Sequence, residues 1–290
     1  MRVGVSTFAT EFSGDIATLA RRAEELGYDS IWVGEHPVLP LDVSSAWPDD
    51  PEKSVPMIDA HIADPFVALG RASALTTSIK LGTGVCLVPE HNPLLLAKQV
   101  ATLDMYSGGR FLFGIGAGWL KEASEIMGAD YEHRWTQTRE AVMVMKELWT
   151  SAESEFHGRY YDFPPVYMFP KPVQRPHPPV LLGGDASRVL KRVVEYGDGW
   201  MPYQVVTPEQ MKDQCAELAE LAREAGRDPA SIEVSYLCPP DYVDAMGALR
   251  EAGVDRVIFQ LSSEVEASEA RENLARIDLE RLEQLVPTLR

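Results

Sequence analysis

Hydrophobic residues in this chain follow two alternating patterns, short apolar runs and longer stretches with helical spacing. In the stretch 133–150, for example, Thr138, Val142, Met145 and Trp149 fall on one face of a helix. The apolar runs are typical of buried strands, because they do not alternate with polar residues. They predict eight strands, near residues 2–7, 29–34, 79–87, 110–117, 179–183, 198–201, 231–237 and 254–261.

The joints between these elements repeat one pattern. Gly27, Gly197 and Gly253 each follow a helical stretch and precede an apolar run, which predicts a left-handed glycine cap before a strand. A capping residue followed by proline marks three helix starts, at Asp64-Pro65, Asn92-Pro93 and Thr207-Pro208. Eight such units predict the α/β class and a single (β/α)8 TIM barrel over residues 1–290. A doubly wound open sheet is the alternative, because periodicity does not report closure.

Two connections are too long for simple turns. Residues 37–63 follow the second predicted strand, and residues 151–178 precede the fifth. Both contain aromatic residues, which disordered linkers lack. Long segments of this kind in a compact domain are usually lids or packing loops, so we expect that role for both.

Composition narrows the classes of function. The chain has 290 residues, of which 45% are hydrophobic, and its formal net charge is −17. A field of this sign repels nucleic acid and anionic membranes, so neither is an expected partner. The same field repels a phosphorylated cofactor. An anion site would therefore need a local reversal of charge, built from backbone dipoles or a few cations.

Targeting and redox features point to an intracellular protein. No apolar run approaches the ~18 residues that are needed to cross a bilayer. Cys86, Cys215 and Cys238 are odd in number and widely spaced, which fits reduced thiols and shows no metal-binding spacing. The sequence therefore predicts a cytoplasmic protein and no metal.

The most informative segment is Phe111–Trp119, a continuous apolar run that passes into alternating glycines. Glycines leave backbone amides bare at the end of a strand, where an anionic or flat ligand can approach the main chain. The segment differs from the G-x-G-x-x-G dinucleotide motif, because position 119 holds tryptophan instead of glycine. It predicts a phosphorylated cofactor outside a Rossmann fold.

Four segments at predicted strand ends carry a family resemblance: Ser30–His36 (SIWVGEH), Leu81–Cys86 (LGTGVC) with Asn92-Pro93, Ser107–Trp119, and Leu181–Gly184 with Tyr196–Trp200. In this order they resemble the luciferase-like superfamily of flavin and deazaflavin oxidoreductases. Their residues are most similar to those of the branch that uses coenzyme F420, a deazaflavin. The resemblance implies a TIM barrel, a small-molecule substrate and a homodimer.

The resemblance also implies roles for single residues. His36 would stand beside the reactive carbon of the cofactor as an acid/base or electrostatic group, with Glu35 as a second catalytic group. The cofactor-binding residues would be His36, Thr83, Gly84, Val85, Ala117, Gly118, Trp119, Gly183, Gly184 and Ser187, with a cis peptide between Gly84 and Val85. From the residues alone, His36 is equally a rim histidine bonded to backbone, and the glycines equally serve close packing.

One departure bears on the substrate. Trp119 stands where the sugar-phosphate dehydrogenases of this family carry a proton-transferring glutamate, and an indole does not exchange a proton in that role. We therefore expect an apolar or cyclic substrate, in a pocket walled by some of the aromatic and apolar residues Trp47, Trp119, Trp200, Met201, Tyr203 and those of 160–169.

These observations predict a coenzyme F420-dependent oxidoreductase that transfers a hydride to or from such a substrate. The alternatives are an FMN-dependent luciferase-like monooxygenase and a flavin-binding protein without turnover. An aldolase or isomerase barrel would require a lysine or a carboxylate cluster at the strand ends, whereas Lys80 lies at the opposite end of its strand.

Overall fold

Parallel strands close into a barrel. The computed structural model describes residues 1–44, 55–184, 186–204, 206–263, 267, 269 and 271–289. The strands in this part of the chain are β1 (Arg2–Thr7), β2 (Ser30–Val33), β3 (Lys80–Thr83), β4 (Cys86–Leu87), β5 (Phe111–Gly116), β6 (Ser154–His157), β7 (Asp162–Val166), β8 (Val180–Gly183), β9 (Gly199–Met201), β10 (Glu233–Cys238) and β11 (Arg256–Gln260).

The pairing order is β3-β2-β1-β11-β10-β9-β8-β5, and β5 pairs back to β3 through Leu81 and Phe111. This ring of eight confirms the predicted (β/α)8 barrel, and the open-sheet alternative is wrong. Strand β4 continues the third barrel strand after a break at Gly84 and Val85, and it pairs with the end of β5. The break therefore lies at the carboxyl-terminal mouth of the barrel.

Helices surround the barrel and begin where the capping pattern predicted. In the described residues they are α1 (Ile16–Leu26), α2 (Pro65–Ser73), α3 (Pro93–Ser107), α4 (Lys121–Ile126), α5 (Arg134–Thr150), α6 (Ala186–Tyr196), α7 (Pro208–Glu224), α8 (Met246–Ala252) and α9 (Leu274–Gln284). The side chains of Asp64, Asn92 and Thr207 cap α2, α3 and α7 as predicted. No helix among the described residues has the length and apolarity to cross a membrane.

Two of the three predicted glycine caps are confirmed. Gly27 and Gly253 end α1 and α8 with φ of 95° and 103°, in the left-handed region. Gly197 has no positive φ, so the prediction is wrong there. A Cβ on Gly197 would lie 2.6 Å from Cδ1 of Leu182, so this glycine is needed for close packing of α6 on the barrel.

The two long connections differ from each other. Residues 151–178 contain the antiparallel hairpin β6–β7, which the sequence analysis did not predict. The first connection is described for residues 37–44 and 55–63, where a 3₁₀ turn spans Met57–His61. Trp47 lies outside the described residues.

The core has two layers. The barrel interior holds a cluster of large side chains, namely Trp32, Leu112, Leu181, Met201 and Ile258. A larger cluster lies between the strands and the surrounding helices, and there Thr138, Val142, Met145 and Trp149 of α5 are fully buried, as predicted. A Cβ on Gly82 would lie 2.1 Å from the Trp32 ring, so the barrel has room for this indole only because position 82 is glycine.

Candidate active site

A cavity of about 510 Å³ opens at the carboxyl-terminal ends of the barrel strands. This is the end at which TIM barrels carry their active sites. The predicted residues that line it are Glu35, His36, Gly84, Val85, Ala117, Gly118, Trp119, Gly183 and Gly184. Thr83 is outside the lining, because its hydroxyl donates to the Gly114 carbonyl oxygen (2.7 Å) and joins two strands. Ser187 is exposed on the first turn of α6 and is also outside the lining.

His36 lies just beyond β2, with a ring that faces the cavity. Its Nε2 is 3.6 Å from Oδ2 of Asp59, which is beyond hydrogen-bonding distance. Within the described residues, the ring makes no hydrogen bond, although its side chain is only 15% exposed. Burial lowers the pKa of His36, and the charge of Glu35 offsets only part of that effect. At pH 7 His36 is therefore a neutral imidazole with unbonded nitrogen atoms.

Glu35 belongs to a buried hydrogen-bonded network. Its Oε2 accepts from the backbone N–H of Leu87 (2.6 Å), and its Oε1 lies 2.9 Å from Nε2 of His91. The Sγ atom of Cys86 lies within 4.8 Å of this carboxylate. Glu35 thus holds β4 and the turn after it against the end of β2. Glu35 also lines the cavity, and its second catalytic role stays a prediction.

The ligand atoms of Glu35, Cys86 and His91 lie within 4.8 Å of one another, a grouping that could hold a metal ion. The sequence had shown no metal-binding spacing, because these residues come from three separate elements. Both oxygens of Glu35 are already occupied by Leu87 and His91. The network is therefore complete as a set of hydrogen bonds.

A second buried carboxylate, Glu90, lies at the other side of this network. Its Oε1 accepts from the hydroxyl of Ser124 (2.8 Å), and its Oε2 is buried without a hydrogen-bond partner among the described residues. Burial raises its pKa to about 7, despite the opposing Ser124 bond. Gly118 passes over the pair, since a Cβ there would lie 3.0 Å from Glu90 Oε1. The sequence analysis missed Glu90, because no motif distinguishes it from an exposed glutamate.

The break in the third barrel strand forms one wall of the cavity. The Gly84–Val85 peptide is cis, as the family resemblance implied. The side chain of Val85 rests on two glycines: a Cβ on Gly116 would lie 2.7 Å from one of its methyl groups, and a Cβ on Gly183 would lie 2.9 Å from the other. Gly116 and Gly183 therefore make room for this wall, and the cofactor-binding role of Gly183 stays a prediction.

Side-chain hydrogen bonds to backbone carbonyl oxygens hold the loops after β5 and β8 in place. Nε of Arg134 donates to Gly118 (3.0 Å), and the hydroxyl of Tyr131 donates to Trp119 (2.8 Å). The indole N–H of Trp200 donates to the Gly184 carbonyl oxygen (2.9 Å). Both loops are thus fixed while Ala117, Gly118 and Gly184 remain at the cavity surface.

Comparisons with known proteins agree with this geometry. A family model described as luciferase-like monooxygenase matches residues 1–276. The chain belongs to this luciferase-like family. An uncharacterized protein of Mycobacterium tuberculosis is 36% identical over 264 residues, which cover 89% of this chain and 91% of the relative.

Solved structures share the luciferase-like fold over the whole chain. The monooxygenase RslO1 from Streptomyces bottropensis superposes with a TM-score of 0.77 and 22% identity, over 99% of each chain. An F420-dependent secondary alcohol dehydrogenase, solved with an F420–acetone adduct, gives a TM-score of 0.75 and 22% identity, over 100% of this chain and 99% of that one. The luciferase-like family consists of oxidoreductases and monooxygenases, and these comparisons identify no cofactor for this chain.

The aromatic wall of this luciferase-like cavity differs in part from the prediction. Trp119, Met201 and Tyr203 line it, whereas Trp200 is buried in the core and residues 160–169 lie outside the lining. Trp135 and Phe8 line it instead. Neither was predicted from the sequence. Trp135 lies three residues before Thr138 and continues the buried face of α5, and that face predicted only packing against the barrel.

Proposed function

We propose that the protein is a coenzyme F420-dependent oxidoreductase. It would transfer a hydride between the deazaflavin and an apolar or cyclic small molecule. When bound, the deazaflavin supplies a carbon that gives or takes a hydride as a two-electron carrier. The chain supplies the binding pocket, the orientation of both molecules and a group that handles the accompanying proton.

His36 carries this proposal. It combines an unbonded, neutral imidazole with a position on the cavity surface and a lowered pKa that is caused by burial. A general base works best with a pKa close to the working pH and with a free nitrogen within reach of the substrate. Asp59, 3.6 Å away, would favour the protonated form once the ring has taken a proton. A hydroxyl that becomes a carbonyl would release its proton to His36, and the reverse reaction would take it back.

The cavity fits a flat ring with a phosphate-bearing tail. Its volume of about 510 Å³ is within the usual range for cofactor and ligand sites. Val85 and Met201 offer an apolar surface for a ring. The loops at Ala117-Gly118 and Gly184 present backbone without side chains beyond Cβ, and the N-terminus of α6 with Ser187 follows the second loop directly. Helix N-termini favour phosphate groups because of their free N–H groups and dipole.

The lining also supports an apolar substrate. Trp119, Trp135 and Phe8 contribute aromatic surface. Glu35 and Asp59 also line it, and the Glu35 carboxylate is hydrogen-bonded to Leu87 and His91. The charge of these carboxylates would disfavour an anionic substrate.

Direct titration of the purified protein with F420 and with FMN, followed by cofactor fluorescence, tests the proposal. We expect F420 to bind more tightly than FMN. Oxygen-dependent turnover, together with FMN binding that is equal or tighter, would instead support the second candidate, an FMN-dependent monooxygenase; the family model, described as luciferase-like monooxygenase, is the observation that favours it. Binding of either cofactor without turnover on any alcohol, ketone or cyclic substrate would support a flavin-binding protein.

A further inference from the structure

Three arginines of α5 and α6 lie beside residues that line the cavity, although none of the three lines it itself. Arg134 donates to the Gly118 carbonyl oxygen after β5. The guanidinium carbon of Arg192 lies 4.5 Å from the centroid of the Trp135 ring, and Trp135 itself lines the cavity. Arg188 is one helical turn before Arg192 on α6, and its carbonyl oxygen accepts from Arg192 (2.6 Å). In a chain of net charge −17 this is a local concentration of positive charge.

None of these guanidinium groups is neutralised by a carboxylate of the described residues, in which Asp185 is not included. Arg134 bonds only to backbone carbonyl oxygens, of Gly118 and Tyr131. Arg188 is exposed and has no hydrogen-bond or ion-pair partner in the described part of the chain. Elsewhere, by contrast, Arg71 is paired with Asp15, and Arg139 is paired with Glu195 in the last turn of α6.

The three charges also act on one another. Burial lowers the pKa of Arg192; Tyr196 and Glu195 oppose this shift, whereas the positive charges of Arg134 and Arg188 add to it. Such a cluster loses free energy by self-repulsion unless an anion is present. Arginine is suited to phosphate and carboxylate because its planar group donates two parallel hydrogen bonds. The unpaired cluster is therefore arranged to receive a ligand that carries several negative charges.

We propose that Arg134, Arg188 and Arg192 form a binding surface for the acidic tail of the cofactor. The ligand groups would be the phosphate of F420 and the carboxylates that follow it, which leave the cavity between Gly118 and Gly184. This surface is the local reversal of charge that an acidic chain needs in order to hold such a cofactor. The inference rests on the proposed F420 function and adds the part of the protein that recognises the tail.

Arg188 provides the cleanest test, because it is exposed and its side chain has no structural bond in the described residues. Binding of F420, and of the deazaflavin fragment that lacks the phosphate and the acidic tail, would be measured by fluorescence in the parent, in Arg188→Ala and in Arg250→Ala. Arg250 is an exposed arginine on α8, so its variant makes the same change in net charge away from the mouth.

The parent should bind F420 more tightly than the tail-less fragment, and added salt should reduce that difference by screening. Arg188→Ala should weaken F420 binding by about five- to tenfold, the scale of one partly exposed charged hydrogen bond. It should leave the fragment's affinity unchanged, and Arg250→Ala should change neither. Arg188→Lys should restore part of the loss.

The outcomes separate the two proposals. Equal affinity of the parent for F420 and for the fragment would overturn the tail site while the F420 function stands. Unchanged F420 binding in Arg188→Ala, or the same loss for both ligands, would also overturn it. A parent that binds neither deazaflavin would overturn the proposed function, and with it this inference.

Discussion

Two histidines on opposite sides of Glu35 differ in almost every physical respect. His36 faces the cavity with an unbonded ring, and burial lowers its pKa. His91 is bonded to the Glu35 carboxylate at 2.9 Å and packs edge-on against Phe66. Burial would lower the pKa of His91 as well, but the hydrogen bond and charge of Glu35 outweigh it, so its pKa is raised.

The difference shows how one carboxylate separates two roles. Because the oxygens of Glu35 are occupied by His91 and Leu87, the carboxylate stabilises the structure around β4. His36, next to it in sequence, has no hydrogen bond to Glu35, and the charge of Glu35 offsets only part of the effect of burial on its pKa. The two neighbouring residues thus have different roles: Glu35 stabilises the wall of the cavity, and the His36 ring faces the cavity.

The largest expected effect is on the cavity side of this comparison. His36→Ala should lower turnover about 100-fold or more, the usual scale for acid–base assistance, because no other imidazole lines the cavity in the described residues. Melting temperature and F420 affinity should change little, since the ring makes no hydrogen bond there. Steady-state kinetics with an established substrate, beside thermal unfolding, would measure both. A variant with full activity, or one that unfolds, would return His36 to a structural role.

On the network side, Glu35→Ala should affect folding first. The substitution leaves the Leu87 N–H and the His91 ring without a buried partner, which costs on the order of 2–4 kcal/mol in the free energy of unfolding. Chemical denaturation at pH 7 would measure the loss. Glu11→Ala is a matched control, because Glu11 makes a similar pair with His61 (2.7 Å) that is exposed to solvent.

The control should lose much less stability than Glu35→Ala. Equal losses in the two variants would mean that burial adds nothing to the Glu35–His91 pair. If instead Glu35→Ala kept the parent's stability and lost only turnover, the catalytic role predicted from the sequence would replace the structural one.

The sequence was sufficient for the fold because the barrel depends on local signals. Capping residues such as Asp64 and Asn92 and the apolar runs are readable one segment at a time, and they predicted the eight barrel strands and the starts of α2, α3 and α7. The hairpin β6–β7 was not predicted, because its second strand contains Pro164 and Pro165, which are atypical of strands. The His36 position was readable only through the family resemblance.

The remaining features of the site depend on contacts between distant segments. The packing of the Val85 side chain against Gly116 and Gly183 depends on the register of three strands, and no local sequence pattern encodes that register. Arg134 of α5 lies near Arg188 and Arg192 of α6 because these two helices pack beside each other at the cavity end of the barrel. Glycine spacing was readable, but whether a glycine receives a ligand or a neighbouring side chain follows only from the assembled barrel.

The smallest expected effect is a difference in pKa between His36 and His91, and it tests the comparison of these two histidines most directly. NMR signals of the six histidines, assigned by single His→Gln variants, should show His36 titrating below 6.5 and His91 above it. Because the folded-state pKa of His91 is raised, its pairing stabilises the protein fully below about pH 6.5 and loses that contribution as pH rises through the folded-state value. His36 has the opposite sign, since protonation of its buried ring costs stability as pH falls below about 6.5.

Glu35→Gln removes the charge and keeps the shape, so it should lower the titration midpoint of His91 clearly and that of His36 only slightly. Equal midpoints in the parent would show that the two sites share one environment, and the division of roles around Glu35 would be lost.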